Sequence, residues 1–407
     1  MPLAEVESLV ASGPQEREFH WTLNFGPQHP ATHTTLRLLL TLDGEKVLKA
    51  APDIGYLHSG FEKLGEDLDF NQYVTIVDRM NYISPIANEI AWHHAVEKLL
   101  DIELTPRGKY VRTIFAELMR IQDHLLNVGT CALDLGAFTA FLYFFTQRER
   151  IYDICELASG QRFHSSFSRV GGFMADVSLE WVNKVRDFVK GFPQAYADVS
   201  KLLNRNRIFI ERTKGIGTLS REDAIDLSCT GPIARASGVV RDLRKDEPYL
   251  AYPDFDFKVI CGKAGDCYAR YMVRMLEMLE SLKIVEQAVE NLPAGPINAD
   301  VTGKVSLPEK MEVYGSIEGL IHHFEISMPN RGVPTPTDEV YAATESPNGE
   351  LGFYLVADGS NRAYRARTRP PSFIHFATFP HLIAGHTLSD VVAVLGSLNI
   401  IAAELDR

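Results

Sequence analysis

The spacing of apolar residues predicts β-strands near the N-terminus of this chain. Residues 18–25 alternate weakly between apolar and polar, and every second residue from Leu36 to Leu42 is a leucine. A period of two places alternate side chains on one face of a strand. The dipeptide Asp43-Gly44 favours a tight hairpin turn before residues 46–49. We therefore predict a small antiparallel sheet in this region.

The middle of the chain has helical spacing instead. Thr105-Pro106 is a typical helix start, because a threonine hydroxyl caps the first turn and proline suits the first helical position. From Val111 to Leu125 apolar residues recur every three or four positions. The charged residues are predicted to lie on the other faces of this helix: Lys109, Arg112, Glu117, Arg120 and Asp123. Further long helices are predicted over residues 139–158, 179–203 and 267–291, and together they indicate a helical bundle.

Strand-like spacing returns beyond Pro293. Residues 339–344, 351–356 and 364–369 are predicted strands, and a last apolar helix follows over 389–398. The predicted fold class is therefore α+β and predominantly α, with a central helical bundle and small antiparallel sheets at both ends. The predicted divisions are a flexible arm (1–17), an N-terminal α/β region (18–75), the bundle (76–300) and C-terminal strands with a terminal helix (301–407).

Composition restricts the partners and metals. The 407 residues carry a formal net charge of −12, which argues against nucleic acid or an anionic membrane surface as the main partner. No apolar run reaches the roughly 18–20 residues that a membrane-spanning helix needs. The five cysteines include no C-x-x-C pair, so neither a disulfide framework nor a metal site of this chain's own is predicted.

The loop over residues 26–33 is the most suggestive chemical feature. It reads GPQHPATH and places His29 and His33 among prolines that restrict the backbone. An imidazole is well suited to moving a proton near neutral pH. The alternatives are a site that positions a proton donor and a well-ordered turn with a solvated histidine.

Several ordered motifs carry a resemblance to a known family. They are LNFGPQHPATH (23–33), GYLH (55–58), DRMNY (78–82), LDLG (133–136), GQRFHSSFSRVGG (160–172), RASG (235–238) and ESPNGELGFYLVADG (345–359), followed by the final Asp406-Arg407. From about Trp21 to Arg407 the chain resembles the quinone-site subunit of respiratory complex I, the family of the 49-kDa or D-type subunit.

That family is in turn similar to the large subunit of nickel–iron hydrogenases, which hold nickel with two C-x-x-C motifs. The corresponding stretches here, around 55–62 and 399–407, contain no cysteine. The resemblance thus implies a hydrogenase-like fold in which a vacated metal cavity holds a quinone headgroup.

The resemblance also implies the site residues. His33 and Tyr82 correspond to the hydrogen-bond donors of the headgroup, Asp134 to the carboxylate paired with the histidine, and Ile401 to a residue of the quinone pocket. Arg79 and His164 correspond to residues near the iron–sulfur cluster of a neighbouring subunit. His29 is interpreted as structural. No metal or cluster is expected on this chain itself, and quinone is its substrate.

The implied function is the quinone-binding subunit of a proton-translocating NADH:quinone oxidoreductase, an enzyme in which this chain is inactive alone. Expected neighbours are a cluster-bearing B-type subunit, C-type and I-type subunits and an H-type membrane subunit, with a peripheral location on the cytoplasmic side of the inner membrane. Ubiquinone and menaquinone both remain open, as do a donor other than NADH and a non-catalytic docking scaffold.

The chain departs from the common family pattern at a few positions. These are Thr34, Asp53, Ser59, Asn399 and the pair Ala402-Ala403. Asn399 stands where the family commonly has aspartate. The departures bear on the shape of the pocket and on the type of quinone.

Overall fold

A three-stranded antiparallel sheet forms the N-terminal part of the computed structural model, which describes residues 20–32, 35–299, 307–328, 332 and 335–407. Its strands, in spatial order, are β1 (His20–Phe25), β2 (Arg37–Asp43) and β3 (Lys46–Asp53). Leu38, Leu40 and Leu42 are fully buried, as their period of two predicts. The predicted sheet is confirmed, whereas the predicted arm over 1–17 lies outside the described residues.

Helices make up the centre of the structure. In the described ranges α1 to α17 cover Phe61–Asp67, Val74–Val77, Pro85–Leu100, Pro106–Asp134, Phe138–Ser159, Leu179–Asn204, Arg207–Glu211, Arg221–Asp226, Gly231–Ala236, Leu243–Asp246, Cys267–Glu290, Lys310–Gly315, Ile317–Ser327, Pro371–Ala377, Phe379–Ile383, Leu388–Leu398 and Ala402–Asp406. The predicted start of α4 is confirmed, because the Thr105 hydroxyl accepts a hydrogen bond from the Gly108 N–H at 3.0 Å. The other predicted long helices are confirmed to within one or two residues.

The charged residues predicted on the other faces of α4 are largely buried, which helical spacing does not reveal. Arg112, Glu117, Arg120 and Asp123 are fully buried. The reason is that α4 is enclosed, since it packs along α5 on one side and α11 on another. Buried charges need partners, and here other elements supply them. Arg112, for example, donates two hydrogen bonds of 2.7 Å to Glu97 of α3.

The C-terminal third contains a second three-stranded antiparallel sheet. Its strands β6 (Thr337–Ser346), β7 (Gly349–Asp358) and β8 (Ala363–Arg369) follow a short pair formed by β4 (Ser168–Arg169) and β5 (Gly172–Phe173). The predicted strands are confirmed, although each strand is longer than the range predicted from the spacing of apolar residues. Helix α3 packs against this sheet, where Trp92 meets Phe353 edge-on with 5.3 Å between ring centroids.

The two ends of the chain meet in one core. Leu40 of β2 shares a buried cluster with Leu395 and Leu398 of α16. Backbone hydrogen bonds of 2.8 Å join Val47 of β3 to Gly385 and His386. The mixed, predominantly helical fold with small antiparallel sheets is thereby confirmed, whereas the division at residues 75 and 300 stays a prediction. No helix in the described part of the chain is long and apolar enough to cross a membrane.

Candidate functional site

The histidine loop follows β1 and is held by local contacts. Gly26 has a φ of 81°, and a Cβ there would lie 2.2 Å from the Leu36 carbonyl oxygen, so only glycine fits. The Nδ1 atom of His29 accepts a hydrogen bond from the Ala31 N–H at 3.2 Å, and its ring stacks near Phe25. The loop therefore has a defined shape up to Thr32. His33 and Thr34, the next two residues, lie outside the described residues.

Asp134 ends α4 near this loop. Burial raises the pKa of Asp134, and the charge of His29 opposes that rise. In the described residues, the histidine acting on Asp134 is thus His29. The resemblance implied that Asp134 pairs with His33, and that pairing stays a prediction. His29, interpreted from the sequence as structural, is placed where it also influences the carboxylate.

Tyr82 lies in the turn before α3 and is half-buried. Burial is the main cause that raises the pKa of the Tyr82 phenol, and the charges of Asp123 and Glu404 raise it further. A hydrogen bond from the backbone of Ala402 lowers the pKa and so opposes these effects. The adjacent Ile401 is buried, and its N–H donates to the Ser372 hydroxyl at 3.2 Å. The structure therefore brings Tyr82 together with the C-terminal segment that contains Ile401.

Two buried acids beside Tyr82 were missed by the sequence analysis as site residues. Asp123 of α4 accepts a hydrogen bond from the Asn399 amide at 2.6 Å. Glu404 of α17 accepts one from the Ser372 hydroxyl. Burial is the main cause that raises the pKa of Asp123 to about 6 and that of Glu404 to about 8. For Asp123 the available signal was an acidic side chain within a long helix, which helical spacing placed only on a face other than the apolar one.

The C-terminus is tied to the GYLH motif. Both carboxylate oxygens of Asp406 accept backbone hydrogen bonds, from Gly55 at 2.9 Å and from Leu57 at 2.7 Å. The ring of His58 lies 2.7 Å from the Asp406 carbonyl oxygen, and Arg407 lies 3.4 Å from Glu62. Two motifs that are about 350 positions apart in the sequence therefore lie side by side.

Arg79 and His164 also come together, at a second place. The guanidinium of Arg79 lies 3.0 Å from Asp78, and the Ser166 hydroxyl donates to the other oxygen of Asp78 at 3.2 Å. Burial lowers the pKa of His164, and the positive charge of Arg79 lowers it further. More than half of the Arg79 side chain is exposed at 54%, so this charge is accessible to a neighbouring molecule.

Metal-binding geometry is not found in the part of the chain that the structure describes. No group of three or more histidine, cysteine, aspartate or glutamate side chains there is placed to hold a metal ion. The five cysteines are free, and Cys261 is the exposed one.

Comparison with known proteins decides the family. Residues 134–407 match the family model described as respiratory-chain NADH dehydrogenase, 49 Kd subunit. The chain belongs to this family. The D-type subunit of the NADH-quinone oxidoreductase of Trichlorobacter lovleyi is 49% identical over 95% of this chain and 98% of the relative.

Two further relatives agree. The D-type subunits of the same enzyme from Methylacidiphilum infernorum and Geotalea uraniireducens are 46% and 47% identical over 95% of this chain, and the matches cover 91% and 98% of their own lengths. The family resemblance seen in the motifs is confirmed. The chain is thus a subunit of the NADH:quinone oxidoreductase, complex I.

Proposed function

We propose that this chain forms the quinone headgroup pocket of complex I and positions the proton donors for quinone reduction. The observation that carries the proposal is the placement of Tyr82. Its phenol lies where the turn before α3 meets the buried segment at Ile401 and Ala402. Tyr82 and the segment that contains Ile401, both implied by the resemblance for one pocket, are far apart in sequence, and their contact supports the proposal.

The environment of Tyr82 suits a hydrogen-bond donor. Because its pKa is raised, the phenol keeps its proton at neutral pH. A quinone carbonyl becomes a much better acceptor once the headgroup has gained electrons, and charge-assisted hydrogen bonds are roughly twice as strong as neutral ones. A donor at this position therefore stabilises the reduced headgroup more than the oxidised one, which is the requirement for a faster reaction. We propose His33 as the second donor, with Asp134 as the carboxylate that orients the histidine.

The contact between Asp406 and the GYLH motif supports the proposed origin of the pocket. The two stretches that correspond to the nickel-binding motifs of hydrogenases are joined here by hydrogen bonds to Gly55 and Leu57. A carboxylate and backbone amides thus meet where thiolates would hold a metal. We propose on this basis a hydrogenase-like fold whose former metal cavity takes the headgroup.

Electrons are proposed to arrive from the terminal iron–sulfur cluster of the B-type subunit. The exposed Arg79 beside His164 is the face proposed to meet that cluster, since a cation stabilises the added negative charge on reduction. The C-type, I-type and H-type membrane subunits are the other proposed neighbours. The proposed location is peripheral, on the cytoplasmic side of the inner membrane.

Replacing the Tyr82 hydroxyl tests the proposal. In membranes with confirmed assembly, Tyr82→Phe should slow NADH:quinone reduction by roughly 10²–10³-fold, as loss of a comparable donor does elsewhere. NADH oxidation with ferricyanide should be unchanged, because that acceptor bypasses the pocket. The matched control is Tyr364→Phe, which alters an exposed tyrosine of β8. Near-normal quinone reduction in the assembled Tyr82→Phe enzyme would show that the headgroup binds elsewhere.

A further inference from the structure

Two carboxyl groups lie behind Tyr82 without a role in the proposal above. Asp123 and Glu404 are both fully buried, and each has an oxygen without a hydrogen-bond partner, Asp123 Oδ2 and Glu404 Oε1. Both influence the ionisation of Tyr82, and Asp123 also influences Glu404. Hydrogen bonds place Glu404 next to Tyr82, because Ser372 contacts both Glu404 and the N–H of Ile401, and the neighbouring Ala402 donates its backbone N–H to the Tyr82 phenol. The two buried acids and the half-buried Tyr82 therefore interact.

Three cations face this cluster from the elements packed around it. Arg274 of α11 and Arg148 of α5 act on Asp123, and Arg369 of β8 acts on Glu404. In the described ranges, no ion pair within 4.0 Å joins either carboxyl group to a cation. The Arg274 guanidinium instead donates to the Ser397 carbonyl at 2.7 Å. These cations thus stabilise the two carboxylates only at a distance.

Such a pair does not ionise fully near neutral pH. Burial disfavours each carboxylate, and the charge of one opposes ionisation of the other. The pKa of about 6 at Asp123 and about 8 at Glu404 agree with this argument and leave one proton in the pair at pH 7. The proton resides mainly on Glu404, and the titration belongs to the pair as a whole.

We propose that Asp123 and Glu404 store a proton for Tyr82 and return it after the phenol has protonated the reduced headgroup. This inference rests on the proposed function. Reduction of a quinone to a quinol takes two electrons, here from the neighbouring iron–sulfur cluster, and two protons, one from Tyr82 and one from His33, the second proposed donor. One O–H bond breaks at Tyr82 and forms on the quinol. The O–H bond of the carboxyl pair then breaks as the phenol O–H reforms, and the pair takes up a solvated proton from the bulk solvent.

Hydrogen bonding alone does not require an acid at position 123. An asparagine carbonyl would accept the same hydrogen bond from the Asn399 amide and would avoid the cost of burying a charge. The carboxyl group at this position therefore points to a role for its charge, which opposes the ionisation of Glu404 and keeps the proton of the pair there. Asp123 and Glu404 act through Tyr82 and are positioning residues for proton supply.

The proximity of Asp123 to Asn399 offers a sharp test. We compare Asp123→Asn, Glu404→Gln and the exchanged pair Asp123→Asn with Asn399→Asp, in membranes, by the pH dependence of NADH:quinone reduction. Asp123→Asn removes a charge that opposes the ionisation of Glu404, and Glu404→Gln leaves only Asp123, which ionises at lower pH than Glu404. In both variants the alkaline limb should therefore move down by about one pH unit or more, which is a tenfold or greater loss of rate on that limb. The exchanged pair should restore the wild-type limb, because it returns a carboxyl group to the same hydrogen bond. Ferricyanide reduction serves as the assembly control and Asp226→Asn, at an exposed position, as the matched variant.

The outcomes separate this inference from the proposed function. An unshifted pH profile in both assembled single variants overturns the proton store, as does a shift that the exchanged pair fails to reverse. Either result leaves the proposed pocket intact if Tyr82→Phe remains slow. A normal rate in Tyr82→Phe overturns the proposed function and the proton store together.

Discussion

Removing Arg235 should destabilise the chain far more than removing an exposed arginine with the same ion-pair distance. Arg235 of α9 is fully buried, and its guanidinium donates hydrogen bonds of 2.7 Å to Glu277 and to Glu345. Arg235→Gln leaves both carboxylates buried without that cation. Breaking a buried ion pair from one side typically costs about 3–5 kcal/mol, because the remaining charge is not compensated.

The chain offers a matched control. Arg207 of α7 lies 2.7 Å from Glu211, but the two side chains are 88% and 61% exposed. Water replaces this contact, so Arg207→Gln should cost about 0.5 kcal/mol or less. Arg235→Lys keeps the charge but loses the double hydrogen bond, and its cost should lie between the two.

The assay is equilibrium unfolding of the full-length chain in urea, followed by the fluorescence of the buried Trp92 and Trp181. The pH dependence gives a second readout. Arg235 helps to lower the pKa of Glu277, so the stability it provides is present above the ordinary glutamate pKa and is lost as the pH falls below it. The difference between wild type and Arg235→Gln should therefore shrink in acid. Equal losses in Arg235→Gln and Arg207→Gln would refute the reasoning.

Two further predictions concern titrating groups. Since folding raises the pKa of Glu404 from 4.5 to about 8, wild-type stability should fall as the pH rises between these values. Glu404→Gln should gain stability on wild type, by roughly 2–3 kcal/mol, between pH 5.5 and 7.5 in urea unfolding, and a constant difference would contradict this. His164→Met should flatten the pH dependence of the neighbouring cluster's reduction potential. Burial and the charge of Arg79 lower the pKa of His164, so the wild-type reduction potential should change with pH at values below the usual titration range of histidine. The same pH dependence of the potential in wild type and His164→Met would exclude this role of His164.

Local spacing in the sequence was enough to predict most regular elements. The leucines of β2, the start of α4 at Thr105 and the three C-terminal strands all follow from periods of two or 3.6 and from end signals. These signals are local because backbone hydrogen bonds and the direction of side chains depend on residues a few positions apart. The family motifs added Tyr82, Asp134, Arg79 and His164 as candidate site residues.

The sequence by itself therefore determined the elements, the family and the residues that the motifs carry. Only the tertiary structure decided where the charges of α4 go, because spacing identifies an apolar face but not what covers the polar one. Asp123 lies in the core because α4 is enclosed by other helices, and Asn399, distant in sequence, meets it there at 2.6 Å. Its electrostatic interaction with Tyr82 and Glu404 likewise joins parts of the chain that are far apart in sequence. Such contacts depend on how whole elements pack. They cannot be predicted from local spacing, because burial changes the pKa of a side chain while the residue type in the sequence stays the same.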